Sequence, residues 1–363
     1  MADRIYLDHA ATTPMLPEAI RAVAEGMGRW ANPSSPHAEG RAARAALEEA
    51  RARIAAALGW DGELIFTSGA SESIAIALGR AQGGARIVSA VEHDAVLRLA
   101  PGSRIAVRRD GHVDPATLEA MLDAAGPSPV VAIQHVNSET GVIQRIDELA
   151  DILHARGGRL FADCAQSAGR LPLPQADLIA VSAHKLGGPP GVGALLVRDP
   201  AMLAPSGGQE RGYRGGTENL PAILGFAAAL EAQAKVEDGV PDWVRAHIAN
   251  RARLDRSIEA AGGEVVCGAT ARSPLVASYR MPGIQSAAQL VRFDLAGFAV
   301  SAGSACSSGT LKTSHVLQAL ALDPRVAGEV VRVSFGRTTT VEEIDAFAAA
   351  WTAMASDARN RAA

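Results

Sequence analysis

The sequence predicts an α/β protein with a largely parallel sheet, followed by a smaller α+β unit. Three observations carry that expectation. Short apolar runs alternate with helical patterns through the first half of the chain. The length of 363 residues leaves room for roughly two domains. A hydrophobic fraction of 48% against 20% charged residues belongs to a chain that buries a core, which excludes a disordered class.

The elements follow in order. Residues 37–58 (HAEGRAARAALEEARARIAAAL) are rich in Ala, Leu, Glu and Arg and stop at Gly59, as a helix with a glycine terminator does. Residues 64–73 (LIFTSGASES) read as a strand entering a helix. The runs at 87–93, 130–137, 159–166, 178–185 and 193–199 read as buried strands, with helical patterns at 115–125 and 145–156 between them. In such sheets functional residues gather at the carboxyl ends of the strands. A Gly-rich basic loop, GGQERGYRGGTEN (207–219), precedes a helical pattern that runs to 261 and is interrupted by Pro241. Beyond it, EVVCG, LVASYRM, AVSAG and VVRVSFG read as strands and EEIDAFAAAWTAMA as a terminal helix.

Composition narrows the function. A net charge of −4 argues against a nucleic-acid partner. No window approaches the ~18 apolar residues of a membrane span. The N-terminal MADRIYLDHAATTP lacks a basic stretch followed by an apolar one, so a cytoplasmic protein is expected. The three cysteines, Cys164, Cys267 and Cys306, form no C-x-x-C pair, which argues against a zinc knuckle or thioredoxin motif, and no metal is expected. Only three lysines exist, Lys185, Lys235 and Lys312, so any lysine-dependent reaction has three candidates.

Lys185, in SAHKLGGPPG, follows an apolar strand and precedes a Gly-Pro turn. A lysine at a strand end in a closed polar pocket can act as a nucleophile, although a surface turn is the commoner place for one. Asp163 ends RLFAD in the same sheet; it suits a pyridinium partner or, more blandly, a helix cap. Ser68–Glu72 of TSGASE form a strand-to-helix junction, which is either an anion site or a capping box. His93 in AVEHDAV is a core histidine or a proton carrier. Cys306 lies among small residues in SAGSACSSG, expected in an exposed loop that suits a thiol which must travel. Cys164 and Cys267, in or beside apolar runs, read as structural. Arg332 alternates with valines in VVRVSFGR, and an inward arginine needs an anion, naturally a carboxylate.

Taken together, YLDHAATTP, NPSSPHAEGR, FTSGASES, VEHDAV, HVNSETG, DCAQSAG, SAHKLGGPPGVGAL, RGGTEN and SAGSACSSG resemble the cysteine desulfurases, pyridoxal-phosphate enzymes of the class V aminotransferase family. SACSSGTLKTSH is similar to the cysteine loop of the group that serves iron–sulfur cluster assembly. The resemblance implies a fold-type-I homodimer with a seven-stranded-type sheet. Its large domain would span 14–250, and 1–13 with 251–363 would form the small one. It implies that Lys185 holds pyridoxal 5'-phosphate covalently, His93 stacks on the ring, Asp163 pairs with the ring nitrogen and Gln166 bonds the ring hydroxyl. Ala70, Ser71, Ser182 and His184 would take the phosphate, and Thr217 would reach the phosphate of the other subunit. Arg332 would hold the carboxylate of L-cysteine. Cys306 would take the sulfur as a persulfide, leave alanine, and pass the sulfur to an iron–sulfur scaffold or another thiol acceptor. Another class V enzyme (a transaminase or selenocysteine lyase) and a catalytically weak binding subunit are the competing readings. Four positions depart from the family pattern. Ser138 stands where a second asparagine usually touches the cofactor, a contact that Asn137 or water would then complete. Ile74 replaces a polar residue, Pro190 a lysine, and Lys312 an acidic one.

Overall fold

Strands that are apolar on both faces need cover on both sides, and helices from the intervening segments supply it. The computed structural model describes residues 4–102, 104–233, 238–303 and 314–362. In chain order its elements are β1 (Ile5–Tyr6), α1 (Pro17–Met27), α2 (Ala38–Leu58), β2 (Glu63–Thr67), α3 (Ala70–Arg80), β3 (Arg86–Ser89), α4 (Asp94–Leu97), β4 (Arg104–Ile105), α5 (Pro115–Ala124), β5 (Val130–Gln134), α6 (Ile146–His154) and β6 (Arg159–Asp163). There follow β7 (Leu178–Ser182), β8 (Gly193–Val197), α7 (Leu220–Glu231), α8 (Asp242–Ala260), β9 (Glu264–Val265), β10 (Val276–Arg280), α9 (Ser286–Leu295), β11 (Phe298–Ala299), α10 (His315–Ala319), α11 (Pro324–Ala327), β12 (Val330–Ser334) and α12 (Val341–Ala362).

Seven strands form one sheet in the order β2-β8-β7-β6-β5-β3-β4. The neighbours from β7 to β4 are parallel, and β8 alone runs against its two neighbours. This is the largely parallel α/β sheet that the sequence pattern predicts, in the fold-type-I architecture that the resemblance implies. One core, with Leu47, Ile54, Phe66, Ile133 and Phe226, covers one face of the sheet. A second, with Ile74, Phe161 and Leu195, covers the other. Helix boundaries follow local chemistry. Gly59 closes α2 in the left-handed conformation, Asp114 caps α5 with Pro115 behind it, and Pro241 separates α7 from α8.

The smaller sheet, β12-β10-β9, is antiparallel, and β1 pairs in parallel with β11. A third core gathers Tyr279, Phe293, Phe335, Phe347 and Trp351, joined from the chain's start by Leu7 and Ala10. Helix α8 contributes Val244, Leu254 and Ile258 to the same core. We propose a division of 14–250 from 1–13 with 251–363, with α8 crossing it. The later strands are shorter than the apolar runs imply. Of AVSAG only Ala299 lies in a strand, the end of β11, and of EVVCG only Glu264–Val265, before Cys267 adopts a φ of 53°. Among the described residues, no helix is long and apolar enough to cross a membrane, and no group of three or more His, Cys, Asp or Glu side chains could hold a metal.

Two histidines tie the layers together. His135, just after β5, places Nδ1 3.0 Å from Ser167 Oγ. His9 packs its ring on Gly336, where a side chain would collide with it. Burial holds both pKa values at about 4 instead of 6.5, and the charge of Arg170 adds to the effect at His9. The unfolded chain therefore binds more protons than the fold between these values, and stability rises with pH across that window. It is complete above pH 6.5 and falls as the pH drops toward 4, by up to about 3 kcal/mol per histidine. Urea unfolding of His135→Gln is expected to show a flatter loss between these pH values than wild type. Parallel curves for the two proteins would contradict this account.

Candidate active site

A cavity of about 400 Å³ opens at the carboxyl ends of the parallel strands. One corner is built by β2 and α3. The chain leaves β2 through Ser68 and Gly69 and starts α3 at Ala70, with Gly69 at φ 143°. Gly69 has no side chain with which to cap, and Glu72 reaches back to the Ser68 N–H instead. The capping-box alternative is thus only half realised, and the first turn of α3 presents Ala70, Ser71 and Glu72 to the cavity. Beneath it, β8 crosses so closely that a Cβ on Gly193 would lie 2.7 Å from Gly69 Cα and strike the Val181 carbonyl. Ser182 and His184 face the same cavity from the end of β7. His184 Nδ1 lies 3.0 Å from Thr12 Oγ1, and burial with the charge of Lys185 lowers its pKa. A doubly anionic phosphate fits this corner.

Lys185 sits in a single 3-10 turn after β7 and lines the cavity. Its carbonyl accepts hydrogen bonds from Thr13 Oγ1 at 2.8 Å and from Arg170 Nη2. Arg170 is buried, which lowers its pKa to about 10. The Thr13 N–H donates to the His184 carbonyl and the Leu16 N–H to that of Gly187. The lysine turn is therefore held from both sides. Thr13 and Arg170 escape sequence reasoning; their only signal is that Thr13 lies within YLDHAATTP and Arg170 directly follows DCAQSAG.

Asp163 ends β6 opposite Ala180 of β7, so it and Lys185 share one sheet edge. Its Oδ1 accepts the Ala165 N–H at 2.9 Å, so the capping role is present while the side chain still lines the cavity. Gln166 donates from Nε2 to the Ala10 carbonyl at 2.9 Å, and its Oε1 is buried with no partner among the described residues. A ring hydroxyl would satisfy that acceptor. Together with the backbone-floored anion corner, this unmet need shows that the residues present fit pyridoxal phosphate.

His93 does not end a strand. β3 stops at Ser89, and His93 caps the short α4, with Nδ1 accepting the Ala95 N–H at 3.2 Å. The turn between them still delivers the ring to the cavity. Burial lowers its pKa, against the opposing pull of Asp163. Beside it, the fully buried Glu92 accepts the Gln134 N–H at 2.8 Å, and burial pushes its carboxyl well up.

A chamber of about 130 Å³ adjoins the cavity and shares His93, Ser138 and Lys185 with it. Arg332 enters it from β12. The anion it meets is Asp8: Nη2 lies 2.8 Å from Asp8 Oδ1, and Nη1 donates to the Ser138 carbonyl at 3.1 Å. Arg332 Nε is buried without a partner among the described residues, which leaves a donor for a further carboxylate. Asn137 does not supplement Ser138. Its Oδ1 accepts the N–H groups of Glu139 and Thr140 and its Nδ2 donates to the Val91 carbonyl, so it braces a turn that ends at Gly141 (φ 77°). Of the expected site residues, Ala70, Ser71, His93, Ser138, Asp163, Gln166, Ser182, His184 and Lys185 meet in one cavity, and Ile74 and Pro190 line it too. Thr217 is exposed and stands outside that lining. Cys306, Lys235 and Lys312 lie outside the described residues. Cys164 is buried, which raises its thiol pKa above the usual range, and Cys267 is half-buried.

Residues 5–347 match the class V aminotransferase family. The cysteine desulfurase of Gluconacetobacter diazotrophicus is 37% identical, over 94% of this chain and 90% of that one. The Frankia cysteine desulfurase is 38% identical, over 94% and 88% respectively. Among solved structures, a NifS-like protein from Rickettsia africae superposes with a TM-score of 0.85 at 30% identity, covering 97% of this chain and 99% of that one. SspA, solved in complex with cysteine, superposes with a TM-score of 0.78 at 28% identity, covering 93% and 100%.

Proposed function

The chain belongs to the class V aminotransferase family and, within it, to the cysteine desulfurases; from that premise we propose how its residues divide the reaction. It is a pyridoxal-phosphate enzyme that takes sulfur from L-cysteine and releases L-alanine. The observation that carries the assignment of roles is the convergence of Lys185, Asp163, Gln166 and His93 on one cavity that ends at the exposed first turn of α3.

Bound there, pyridoxal phosphate supplies an electron sink for the bonds around the substrate Cα. Lys185 Nζ would anchor it and carry the α-proton. Asp163 would keep the ring nitrogen protonated, and Gln166 Oε1 would accept from the ring hydroxyl. Ala70, Ser71, Ser182 and His184 would surround the phosphate, while Ser138, shorter than an asparagine, would reach less far toward the ring. Burial keeps His93 neutral at ordinary pH, in the form that can accept a proton. Arg332 would orient the substrate through its carboxylate. The Cys306 thiolate would then bond to the substrate sulfur as the carbon–sulfur bond breaks. The electron pair of that bond stays with carbon and is protonated, so alanine and a persulfide on Cys306 balance one cysteine and one thiol. Thr217, outside its own cavity, would complete the site of a partner subunit in a homodimer. An iron–sulfur scaffold or another thiol protein would receive the sulfur.

The test is the mass of the Cys306 peptide after brief incubation with L-cysteine and no reductant. A peptide one sulfur atom heavier, with alanine formed, is expected, and Cys306→Ala should keep the cofactor colour but stop sulfur transfer. An unmodified peptide from yellow protein would remove Cys306 from its role.

A further inference from the structure

Glu72 is an odd resident of an anion corner. It lines the large cavity from the first turn of α3, beside Ala70 and Ser71. Its Oε2 accepts the Ser68 N–H. Burial pushes its carboxyl up, but hydrogen bonds from Ser68 and Arg214 outweigh burial and hold it below the usual carboxylate range, so it is ionised at ordinary pH. A carboxylate next to a doubly anionic phosphate repels it. Among the described residues, Lys185 is the only lysine or arginine that lines the same cavity, and its role lies at the other end of the cofactor.

Arg214 answers that charge. It comes from the Gly-rich loop 207–219, and its Nε donates to Glu72 Oε1 at 3.0 Å. Both oxygens of Glu72 are thereby engaged, one by the Ser68 N–H and the other by a guanidinium. The loop is built to deliver this contact. Arg80, in the last turn of α3, donates from Nη1 to the Tyr213 carbonyl at 3.0 Å, and Gln209 Oε1 accepts the Gly216 N–H at 2.8 Å. Glu210 is buried; its Oε1 accepts from Arg51 Nη2 at 2.9 Å and its Oε2 from the Phe66 N–H of β2 at 2.7 Å. Glu210 and Arg211 hold left-handed φ values of 46° and 55°, which residues other than glycine rarely adopt. The loop is thus pinned to β2 and α3, the two elements that make the corner, with Arg214 between those anchors.

We propose that Arg214 is a positioning residue for the cofactor phosphate: paired with Glu72, it cancels the carboxylate charge in the corner and fixes that carboxylate on the Ser68 N–H. The proposal rests on Ala70, Ser71, Ser182 and His184 surrounding the phosphate. Without Arg214 the corner keeps a bare negative charge; without Glu72 it gains a positive one. The two substitutions therefore act in opposite directions on phosphate binding, which a plain loop tether does not require.

The full chain, stripped of cofactor, is titrated with pyridoxal phosphate and with pyridoxal at about pH 8, where the phosphate is doubly ionised. Wild type, Arg214→Leu, Glu72→Gln and the double variant are compared, with Kd read from protein fluorescence. Pyridoxal lacks only the phosphate, so the ratio of the two Kd values isolates the corner. In Arg214→Leu, Kd for pyridoxal phosphate is expected to rise at least about tenfold, while that for pyridoxal stays within about twofold. Glu72→Gln should bind pyridoxal phosphate at least as tightly as wild type. The double variant should return to within about threefold of wild type, because the charge that Arg214 opposes is gone. Equal losses for the two ligands, a double variant no tighter than Arg214→Leu, or an unchanged Kd in Arg214→Leu would overturn the proposal and leave the pair a loop tether only. Should Arg214→Leu not fold, Arg214→Gln takes its place with the same expected values, and weaker binding in Glu72→Gln counts against the proposal. Equal Kd values for the two ligands in wild type are a separate result, which sinks the phosphate corner itself.

Discussion

Lys185→Ala is expected to hold pyridoxal phosphate only reversibly and to form alanine more slowly by at least about 10⁴-fold. On the proposed roles, two functions leave with one side chain, the covalent anchor and the amine that carries the α-proton. Lys185 is the only lysine among the described residues, so none of those residues supplies a second amine to the cavity. The backbone of the turn should survive the change. Its position is set by Thr13, Arg170 and Leu16 acting on main-chain atoms, none of which the substitution touches. Lys185→Arg should fail equally, because a guanidinium keeps the charge but is not a usable nucleophile or base. The check is the mass of the protein after borohydride reduction, with cofactor retention on dialysis. A cofactor-sized increment that persists in Lys185→Ala would place the anchor elsewhere.

Arg332→Leu is expected to lower kcat/KM for L-cysteine by about 10²–10³-fold, mostly through KM. Hydrogen bonds to a charged group contribute about 1.5–3 kcal/mol each, and two of them account for a loss of that size. The substitution also leaves Asp8 without its 2.8 Å partner, so some loss of stability accompanies it. Arg332→Lys separates the two effects, since it keeps a positive charge near Asp8 but not the planar fork. It should recover stability more than KM. A KM within about threefold of wild type in Arg332→Leu would mean that the substrate carboxylate is held by another group.

The cofactor side of this site was more legible in the sequence than its supports were. Buried parallel strands are near-continuous apolar runs, so the sequence alone puts Asp163 at a strand end and Lys185 just beyond the strand that closes at Ser182, although the apolar run extends the strand expected there to 185. The scarcity of lysine made Lys185 conspicuous. The role of Arg170 could not be read in the same way, because it acts on the Lys185 carbonyl through a contact that only the folded sheet creates. Asp8 was hidden for the same reason, standing 324 residues from Arg332. Apolar residues continue past Ser89 and imply a strand that runs to His93, yet the backbone turns there and the histidine caps a helix. Of the two groups that could make up for Ser138, Asn137 or water, Asn137 is taken up by the turn it sits in, a use that only the folded backbone reveals.

The first sixteen residues have a consequence for the order in which the molecule is made. Ile5 pairs with Phe298, Asp8 with Arg332, and Thr13 with the Lys185 turn. A ribosome adds about 5–20 residues per second, so Asp8 waits on the order of tens of seconds for its arginine to be synthesised. Thr13 meets its partner sooner, 172 residues on. Assembly during translation is therefore staged. The larger cavity around the lysine turn can close while the chain is still growing, but the smaller chamber lined by Arg332 closes only when the last strand arrives. A nascent chain cut short before Val330 would keep the lysine turn and lack Arg332, so on the proposed role of that arginine a truncated product would lose its hold on the substrate carboxylate.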